Sequence, residues 1–215
     1  MIKAIIFDFD GVLVESVDVK TKAFTKIFEA KGEEVVRQVT DFHLKNGGVP
    51  RVNKFKYYYK EILRRSLSEE KLEELCSTFS RLVTNEVINS PYVNGAKEFL
   101  ESYYDKIDLY IVSGTPEEEL REIVRRRGMD IFFKGIYGFP RQKGEIAKTI
   151  IRQNSYYSKE VIFIGDSTTD LKGAQDSGIR FIGRVTDSGD DPFVDSGVKV
   201  IKDLNDIEKI IQGFQ

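Results

Sequence analysis

Short apolar runs recur along the chain, separated by longer segments in which apolar residues return every three or four positions. Short apolar runs that end at turn residues predict buried strands. The predicted strands are Ala4–Phe7, Leu109–Val112, Val161–Ile164, Phe181–Ile182 and Val198–Ile201. The predicted helices between most of them are Ala96–Tyr104, Pro116–Arg127, Gly144–Asn154, Thr169–Ser177 and Asp206–Gln212. This alternation predicts an α/β fold with a doubly wound parallel sheet.

The segment between the first two strands breaks the alternation. Across 15–88, apolar positions such as Phe24 and Phe28 recur with helical spacing, and no run predicts a strand. The prediction is therefore an α/β core domain at 1–14 and 89–215, with an all-helical domain at 15–88. An insert at this point lies above the end of the first strand, where a lid would sit.

An acidic pair directly follows the first predicted strand. Asp8 and Asp10 flank Phe9, and Gly11 comes next. Side chains two apart on an extended chain share a face, so both carboxylates are expected in one crevice while Phe9 points away. Gly11 permits a sharp turn there. Neighbouring carboxylates repel each other, which favours cation binding or shared acid and base work; a solvated turn is the alternative.

The second predicted strand leads into a possible anion site. Ser113 offers a hydroxyl, and the amides of Gly114 and Thr115 are free to face an anion. Thr115 is predicted to be a helix N-cap, with Pro116 at the first helical position and Glu118 completing a capping box. A well-capped helix without an anion site is the alternative.

Two further signals lie at predicted element ends. Lys143 precedes a helix, where its ammonium could neutralise a phosphoryl oxygen and a carboxylate; a solvated lysine is the alternative, and Arg141 competes for the role. Asp166 follows a predicted strand, and Asp170 falls four residues later on one helix face. Oxygen ligands without histidine or thiolate suit Mg²⁺. An N-cap at Asp166 or Ser167 is the alternative.

Composition narrows the functional classes. The chain has 215 residues, 40% hydrophobic and 32% charged, and its net charge of -2 gives no drive toward nucleic acid or acidic membranes. No apolar stretch approaches the roughly 18 residues of a membrane helix, and no secretion signal is evident. The one cysteine, Cys76, cannot form an internal disulfide. We expect a cytoplasmic monomer or weak homodimer that binds neither nucleic acid nor membrane.

The four signals, in order, resemble the motifs of the haloacid dehalogenase superfamily. Those motifs are an Asp-x-Asp strand end, a Ser or Thr ending a second strand, a Lys before a helix, and a Gly-Asp-x-x-x-Asp strand end. The matching residues are Asp8, Asp10, Ser113, Lys143, Asp166 and Asp170. The resemblance covers the core up to about residue 170, and the insert resembles the helical cap of the phosphoglycolate phosphatase and beta-phosphoglucomutase types. It implies a Rossmann-like core with a cap domain.

The resemblance also implies phosphoryl transfer through an aspartyl phosphate. Asp8 would be the nucleophile, and Asp10 the general acid and then the general base. Mg²⁺ would be held by Asp8, the Asp10 backbone carbonyl and Asp166, with Asp170 binding it or orienting its water. The phosphoryl oxygens would be bound by Ser113, the Gly114 amide and Lys143.

Departures within the superfamily separate several chemistries. Asp10 and Asp166 argue against carbon–halogen cleavage, whose enzymes lack the second acid and need no metal. Phosphonate-cleaving relatives use a cap lysine as a Schiff base, and this stays open because the chain offers Lys20, Lys22, Lys45 and Lys54. Phosphosugar mutases carry a histidine where this chain has Lys20. That departure favours hydrolysis.

The helical insert carries a basic cluster at 43–65, interleaved with aromatic residues. One interpretation is a solvated helix face over an aromatic core; another is a nucleic-acid face. The lid position suggests a third, in which Gly48, Arg51 and Lys54 cover the site and contact an anionic or polyhydroxylated substrate. The only histidine, His43, is expected to be structural.

The leading hypothesis is a Mg²⁺-dependent phosphatase acting on a small phosphorylated metabolite, either a sugar phosphate or a phospho-acid. A phosphosugar mutase of the beta-phosphoglucomutase type is the alternative, distinguished by whether phosphate is released. A non-enzymatic phospho-ligand binding protein is a further alternative. A phospho-receiver domain also combines acids, a hydroxyl and a lysine, but such domains are roughly half as long and lack a helical insert.

Overall fold

The structure is a computed structural model that describes residues 1–186 and 191–214. Residues 187–190 and 215 of the predicted core range lie outside the described residues. Among the described residues, no helix combines the length and apolar character needed to cross a membrane.

Six parallel strands form one sheet, which confirms the predicted α/β fold. The spatial order is β3-β2-β1-β4-β5-β6. The strands are β1 (Ala4–Phe7), β2 (Asp108–Pro116), β3 (Gly135–Phe139), β4 (Val161–Gly165), β5 (Arg180–Arg184) and β6 (Lys199–Ile201). The central strands β1 and β4 are buried along their whole length, which explains their nearly continuous apolar sequences.

Helices cover both faces of the sheet. Alternate residues of β1 enter opposite cores, with Ile5 and Phe7 on one side and Ala4 and Ile6 on the other. The helices are α1 (Val17–Phe28), α2 (Glu33–Lys45), α3 (Arg51–Tyr57), α4 (Glu69–Asn89), α5 (Ala96–Tyr103), α6 (Glu117–Arg126), α7 (Lys143–Gln153), α8 (Thr168–Ser177) and α9 (Ile207–Gln212).

The insert between β1 and α5 is helical, and a π-helical turn at Tyr58–Ile62 extends α3. Its core is aromatic: the Phe24 ring lies 4.4 Å from that of Phe79, 5.4 Å from that of Phe55 and 5.5 Å from that of Tyr58, measured between centroids. We refer to α1–α4 as the cap. The domain boundaries at 14/15 and 88/89 stay a prediction.

Two arginines of the core hold the two chain segments that enter and leave the cap. Arg184, at the end of β5, donates hydrogen bonds to the Gly11 carbonyl at 2.9 Å and to Glu15 at 2.6 Å. Arg127, after α6, donates from one nitrogen to the carbonyls of Val87, Ile88 and Ser90. Both connections are therefore anchored on the core.

Three local predictions differ from the structure. Strand β3 is absent from the predicted strands because it is a short edge strand with two glycines and only alternate residues buried. The sequence pattern of the insert does not distinguish α2 as a helix of its own. The predicted N-cap at Thr115 is wrong: β2 runs on to Pro116, which pairs with Phe139, and α6 begins at Glu117.

Candidate active site

The carboxyl ends of β1, β2 and β4 meet where the strand order reverses, between β1 and β4. Open α/β sheets bind ligands at such a point because the adjacent connections leave on opposite faces. Asp8 directly follows β1, Ser113 lies near the end of β2, and Asp166 directly follows β4. The sheet therefore brings Asp8 together with two residues that are each more than a hundred positions away from it in the sequence.

Asp8 lies at the centre of this end of the sheet and is only 3% exposed. One carboxylate oxygen accepts a hydrogen bond from the Phe9 amide at 2.8 Å, and the other lies 3.1 Å from the Lys143 ammonium. Burial raises the pKa of Asp8 to about 7, with Lys143 opposing the rise and Asp170 and Asp10 adding to it. The carboxylate is thus held in one orientation, and additional positive charge nearby would stabilise its ionised form.

Asp166 and Asp170 complete a cluster of acids with Asp8. One carboxylate oxygen from each of the three lies within 4.8 Å of the others. Burial, followed by the charges of Asp8 and Asp170, raises the pKa of Asp166 well above its usual range. Gly11, at a φ of 75°, permits this crowding, because a Cβ there would lie 2.2 Å from an Asp166 carboxylate oxygen. Three crowded oxygen donors without a sulfur or imidazole ligand fit a hard cation such as Mg²⁺.

Lys143 is the positive group of the cluster, and it occupies the first position of α7. Its ammonium lies 2.5 Å from Asp170 and 3.1 Å from Asp8, and it is 8% exposed. Burial disfavours its charged form, but the charges of Asp170 and Asp8 outweigh this and raise the pKa of Lys143. Asp170 is fixed in turn by the Ser167 amide and hydroxyl, at 3.1 and 2.5 Å. Lys143 is therefore cationic and oriented.

Asp10 points into a different environment from Asp8. Its carboxylate accepts hydrogen bonds from the Lys20 ammonium, from the Ser16 hydroxyl at 2.6 Å and from the Thr115 hydroxyl at 3.2 Å. Burial opposes its ionisation, but Lys20, assisted by the two hydroxyls, holds the pKa of Asp10 below its usual value. The pKa values of the two motif acids are thus shifted in opposite directions, although the residues are only two positions apart.

Of the three residues around Asp10, Ser16 was missed in the sequence, and Lys20 and Thr115 were given other roles. Thr115, predicted to cap a helix, instead bonds Asp10 and lies 3.0 Å from the Lys20 ammonium. Its amide donates to the Ser113 hydroxyl oxygen at 3.2 Å and is not free to face an anion. Ser16 and Lys20 are four residues apart at the start of α1, so one helix face delivers both to Asp10. The signal available in the sequence was the spacing of Ser16 and Lys20, which lie one helical turn apart shortly after Asp10.

The loop at residues 46–50, which we call the cap loop, lies directly on the core site. Gly48 has a φ of 72°, and a Cβ on it would lie 2.1 Å from the Thr169 hydroxyl and 2.5 Å from the Ser167 hydroxyl. A Cβ on Gly114 would lie 2.5 Å from the Gly48 carbonyl oxygen. The structure thus brings predicted residues Gly48, Gly114 and Lys143 together, with Gly48 in contact through its backbone.

A groove of 480 Å³ opens beside the cap loop and reaches this region. Among the residues that line it are Gly48, Ser113, Gly114, Lys143, Gly144 and Thr169. It gives the predicted phosphoryl-binding residues access to the outside even though Ser113 is 3% exposed.

Arg51 and Lys54, the other predicted cap contacts, have different surroundings. Arg51 forms an ion pair with Glu119 of α6 at 2.5 Å and donates to the Ser80 hydroxyl at 2.7 Å. Its substrate contact stays a prediction, but its observed partners join cap to core. Lys54 lies inside the cap, with its ammonium 2.7 Å from Nδ1 of His43.

Comparisons with known proteins agree with this geometry. The model of the haloacid dehalogenase-like hydrolase family matches residues 5–184. The chain is 27% identical over 198 residues to a phosphorylated carbohydrates phosphatase of Thermotoga maritima, covering 88% of each chain. It is 24% identical to a phosphoglycolate phosphatase of Mannheimia succiniciproducens, covering 84% of each. A crystal structure of a predicted phosphoglycolate phosphatase from Haemophilus somnus superposes with a TM-score of 0.76 at 21% identity, covering 97% of each chain. The chain belongs to the haloacid dehalogenase-like hydrolase family.

Proposed function

We propose that this chain is a Mg²⁺-dependent phosphatase that hydrolyses a small phosphorylated metabolite, a sugar phosphate or a phospho-acid, through a phosphorylated aspartate. The observation that carries the proposal is the separation of two acids at one strand end. Asp8 faces Lys143 and the acidic cluster, whereas Asp10 faces Lys20 and Thr115. Neighbouring acids in contrasting environments are suited to different tasks in one reaction.

In the first half of the proposed reaction, an Asp8 oxygen attacks phosphorus and the ester P–O bond breaks. The attacking carboxylate is oriented by the Phe9 amide and Lys143. Ser113, the Gly114 amide and Lys143 bind the non-bridging oxygens as negative charge is redistributed among them. Asp10 supplies the proton that the departing oxygen requires.

In the second half, water attacks the phosphorus of the aspartyl phosphate and inorganic phosphate leaves. Asp10 accepts the proton from the water and Asp8 is regenerated. The lowered pKa of Asp10 beside Lys20 keeps its carboxylate ionised, which accepting a proton requires. The acid role in the first half requires protonated Asp10, so its contact with Lys20 must loosen when substrate arrives.

Mg²⁺ would be held by Asp8, the Asp10 backbone carbonyl and Asp166, with Asp170 either a direct ligand or a partner of bound water. When bound, it supplies positive charge for the phosphoryl oxygens and offsets the mutual repulsion of the acids. The fit rests on the cluster of carboxylate oxygens within 4.8 Å and on the raised pKa values of Asp8 and Asp166.

The test is phosphate release from phosphorylated sugars, acids and nucleotides with Mg²⁺ or EDTA. Asp8→Asn is expected to lower release by roughly three orders of magnitude or more, because it removes the nucleophile. The matched control is Asp105→Asn, an exposed acid of the core, which should release phosphate like the wild type. Acid-stable labelling of the wild type but not of Asp8→Asn would detect the phosphorylated aspartate. Equal release by wild type and Asp8→Asn would overturn the mechanism.

A phosphosugar mutase is the second candidate, and the closed cap loop favours it. Gly48 lies over the site, and Asp8 is 3% exposed and is not among the residues that line the groove, so access of water to Asp8 itself is restricted in this arrangement. A mutase would interconvert sugar phosphates and release little phosphate. Chromatography of products from the same panel distinguishes isomerisation from hydrolysis. A binding protein would yield neither product.

A further inference from the structure

Lys54 is a buried cation with an unusual partner. Its side chain is 3% exposed, and its ammonium contacts Nδ1 of His43 at 2.7 Å and the His43 carbonyl at 3.4 Å. Among the described residues, no carboxylate lies within ion-pair distance of it. Buried charges in proteins are normally paired, because an uncompensated one is costly to desolvate. The folded cap therefore holds a buried lysine amine that has no counter-ion among the described residues.

His43 does not neutralise this charge. Burial, followed by the charge of Lys54, lowers the pKa of His43 far below its ordinary value, so the imidazole is neutral. Its Nδ1 accepts from Lys54, and its Nε2 is buried and has no hydrogen-bond partner in the part of the chain that is described. Burial and the charge of Lys20 lower the pKa of Lys54 to about 7. The negative charge of a bound anion would raise the pKa values of both His43 and Lys54.

The surroundings place Lys54 on the active-site side of the cap. Lys20 and Phe24 are four residues apart on α1 and share a face. Lys20 binds Asp10, while the Lys54 ammonium lies 5.8 Å from the centre of the Phe24 ring. The charges of Asp166 and Asp10 also act on Lys54. Lys54 is therefore within electrostatic range of the acids, and no ion pair joins it to them among the described residues.

The other basic residue predicted to contact substrate is already paired. Arg51 binds Glu119 at 2.5 Å and lies 4.9 Å from the centre of the Phe79 ring. Lys20 is paired with Asp10. Of the three, only Lys54 has no acidic partner among the described residues, so it is the cation left for a ligand.

We propose that Lys54 binds a second anionic group of the substrate, a carboxylate or a phosphate separate from the phosphoryl group at Asp8. This rests on the proposed function and assigns its substrate class: doubly anionic phosphate esters rather than uncharged sugar monophosphates. The transferring group would lie against Ser113 and Lys143 on the core, and the second group would reach Lys54 on the cap. One substrate molecule would then contact both the core and the cap, and it would favour the arrangement in which the cap loop lies on the core site.

The experiment measures binding of unreactive phosphonates by calorimetry in the presence of Mg²⁺. Phosphonoacetate carries a second carboxylate, ethane-1,2-bisphosphonate a second phosphonate, and 2-hydroxyethylphosphonate an uncharged hydroxyl. The proteins are wild type, Lys54→Met and the matched control Lys56→Met, which removes an exposed lysine of the same helix. Circular dichroism verifies the fold of each. No turnover is needed.

The wild type and Lys56→Met are expected to bind one doubly anionic phosphonate about 10- to 100-fold more tightly than the hydroxyl analogue. In Lys54→Met this ratio should fall to about one, since the charged hydrogen bond is gone. The analogue that loses most affinity identifies the second group as carboxylate or phosphate. A wild-type ratio near one, a ratio unchanged in Lys54→Met, or no binding of any analogue overturns the inference.

The outcome is distinguishable from failure of the proposed function. Phosphate release without a preference for doubly anionic analogues would retain the phosphatase and reject the role of Lys54. A Lys54-dependent preference without phosphate release would retain the anion site and reject hydrolysis.

Discussion

At the scale of single residues, the site depends on how a few buried charges compensate one another. Asp8, Asp166 and Asp170 crowd together, and Lys143 is the cation that contacts two of them. Removing one member of a buried charge pair costs more than the pair contributes, because the remaining charge stays desolvated. The charge of Lys143 is therefore expected to matter for folding in addition to its proposed role in phosphoryl binding.

Lys143→Met should lower the free energy of unfolding by about 3–5 kcal/mol in EDTA, because Asp8 and Asp170 lose their common counter-ion. Urea unfolding followed by circular dichroism gives this value. Lys148→Met, at an exposed position of the same helix, should change it by less than about 0.5 kcal/mol. Similar losses in both variants would contradict the compensation argument.

Lys54 predicts a pH dependence of stability. Its pKa is about 7 in the folded chain and 10.5 ordinarily, so between these values the unfolded state binds more protons. The free energy of unfolding of the wild type should therefore rise with pH across this window, relative to Lys54→Met, by up to about 1.4 kcal/mol per pH unit. Below about pH 7 the difference should level off.

Urea unfolding of both proteins between about pH 6 and about pH 9, in EDTA, measures this difference. The groups whose charges act on Lys54 are Lys20, Asp166 and Asp10, with His43 in contact, and the subtraction removes their own titration where it is common to both proteins. If the free energies of unfolding of the two proteins change with pH in parallel, the pKa of Lys54 is not lowered in the folded chain.

At the scale of elements, the ion pair between Arg51 and Glu119 joins the cap to the core. Arg51 of α3 and Ser80 of α4 both bind Glu119 of α6, and the side chains of Arg51 and Glu119 are 7% and 14% exposed. The same structure that contains this ion pair has the cap loop in contact with the core site. Removing either partner would leave a partly buried charge unpaired, so we expect the contact to favour the arrangement in which the cap loop lies on the site.

Glu119→Gln should raise KM about 3- to 30-fold with a much smaller change in kcat, because binding must then drive closure without the ion pair. Amide exchange across residues 46–50 should become faster in the free protein. Steady-state kinetics and hydrogen exchange measure the two effects. Glu122→Gln is the control on the same helix, since Glu122 pairs with exposed Arg125. Equal kinetics and equal amide exchange in both variants would contradict a role of the Arg51–Glu119 ion pair in cap closure.

At the scale of the whole molecule, the sheet order and the insertion point together create the site. The reversal of strand order between β1 and β4 brings the acids to one place, and insertion after β1 puts the cap above them. Because the acids are crowded together only in the folded chain, the proposed cation should bind the folded chain more tightly than the unfolded chain. We therefore expect cation binding to stabilise the entire fold.

Mg²⁺ at about 100 times its Kd should stabilise the protein by about 2.7 kcal/mol, which corresponds to a Tm increase of roughly 5–10 °C. Thermal unfolding with Mg²⁺, against NaCl at the same ionic strength, measures it. Asp166→Asn should remove most of the increase, and Asp105→Asn should retain it. An equal increase with NaCl would indicate charge screening in place of a site.

The sequence by itself determined the features that depend on local order. Apolar runs predicted β1 and β4, and helical spacing predicted the insert. Asp8, Asp10, Ser113, Lys143 and Asp166 became candidates from their positions at element ends, and the family resemblance supplied their predicted roles. The alternation of strands and helices was enough for the fold class. The half-buried edge strand β3 was missed because its residues lack a continuous apolar pattern.

Only the tertiary structure decided the partners of side chains that are distant in sequence. It pairs Lys20 with Asp10 and Thr115, commits Arg51 to Glu119, and leaves Lys54 buried without an acid among the described residues. Local sequence carries no record of these distances, because they follow from how the cap packs on the sheet. Strand ends are set by neighbouring residues, whereas the charge on a buried lysine is set by everything that surrounds it.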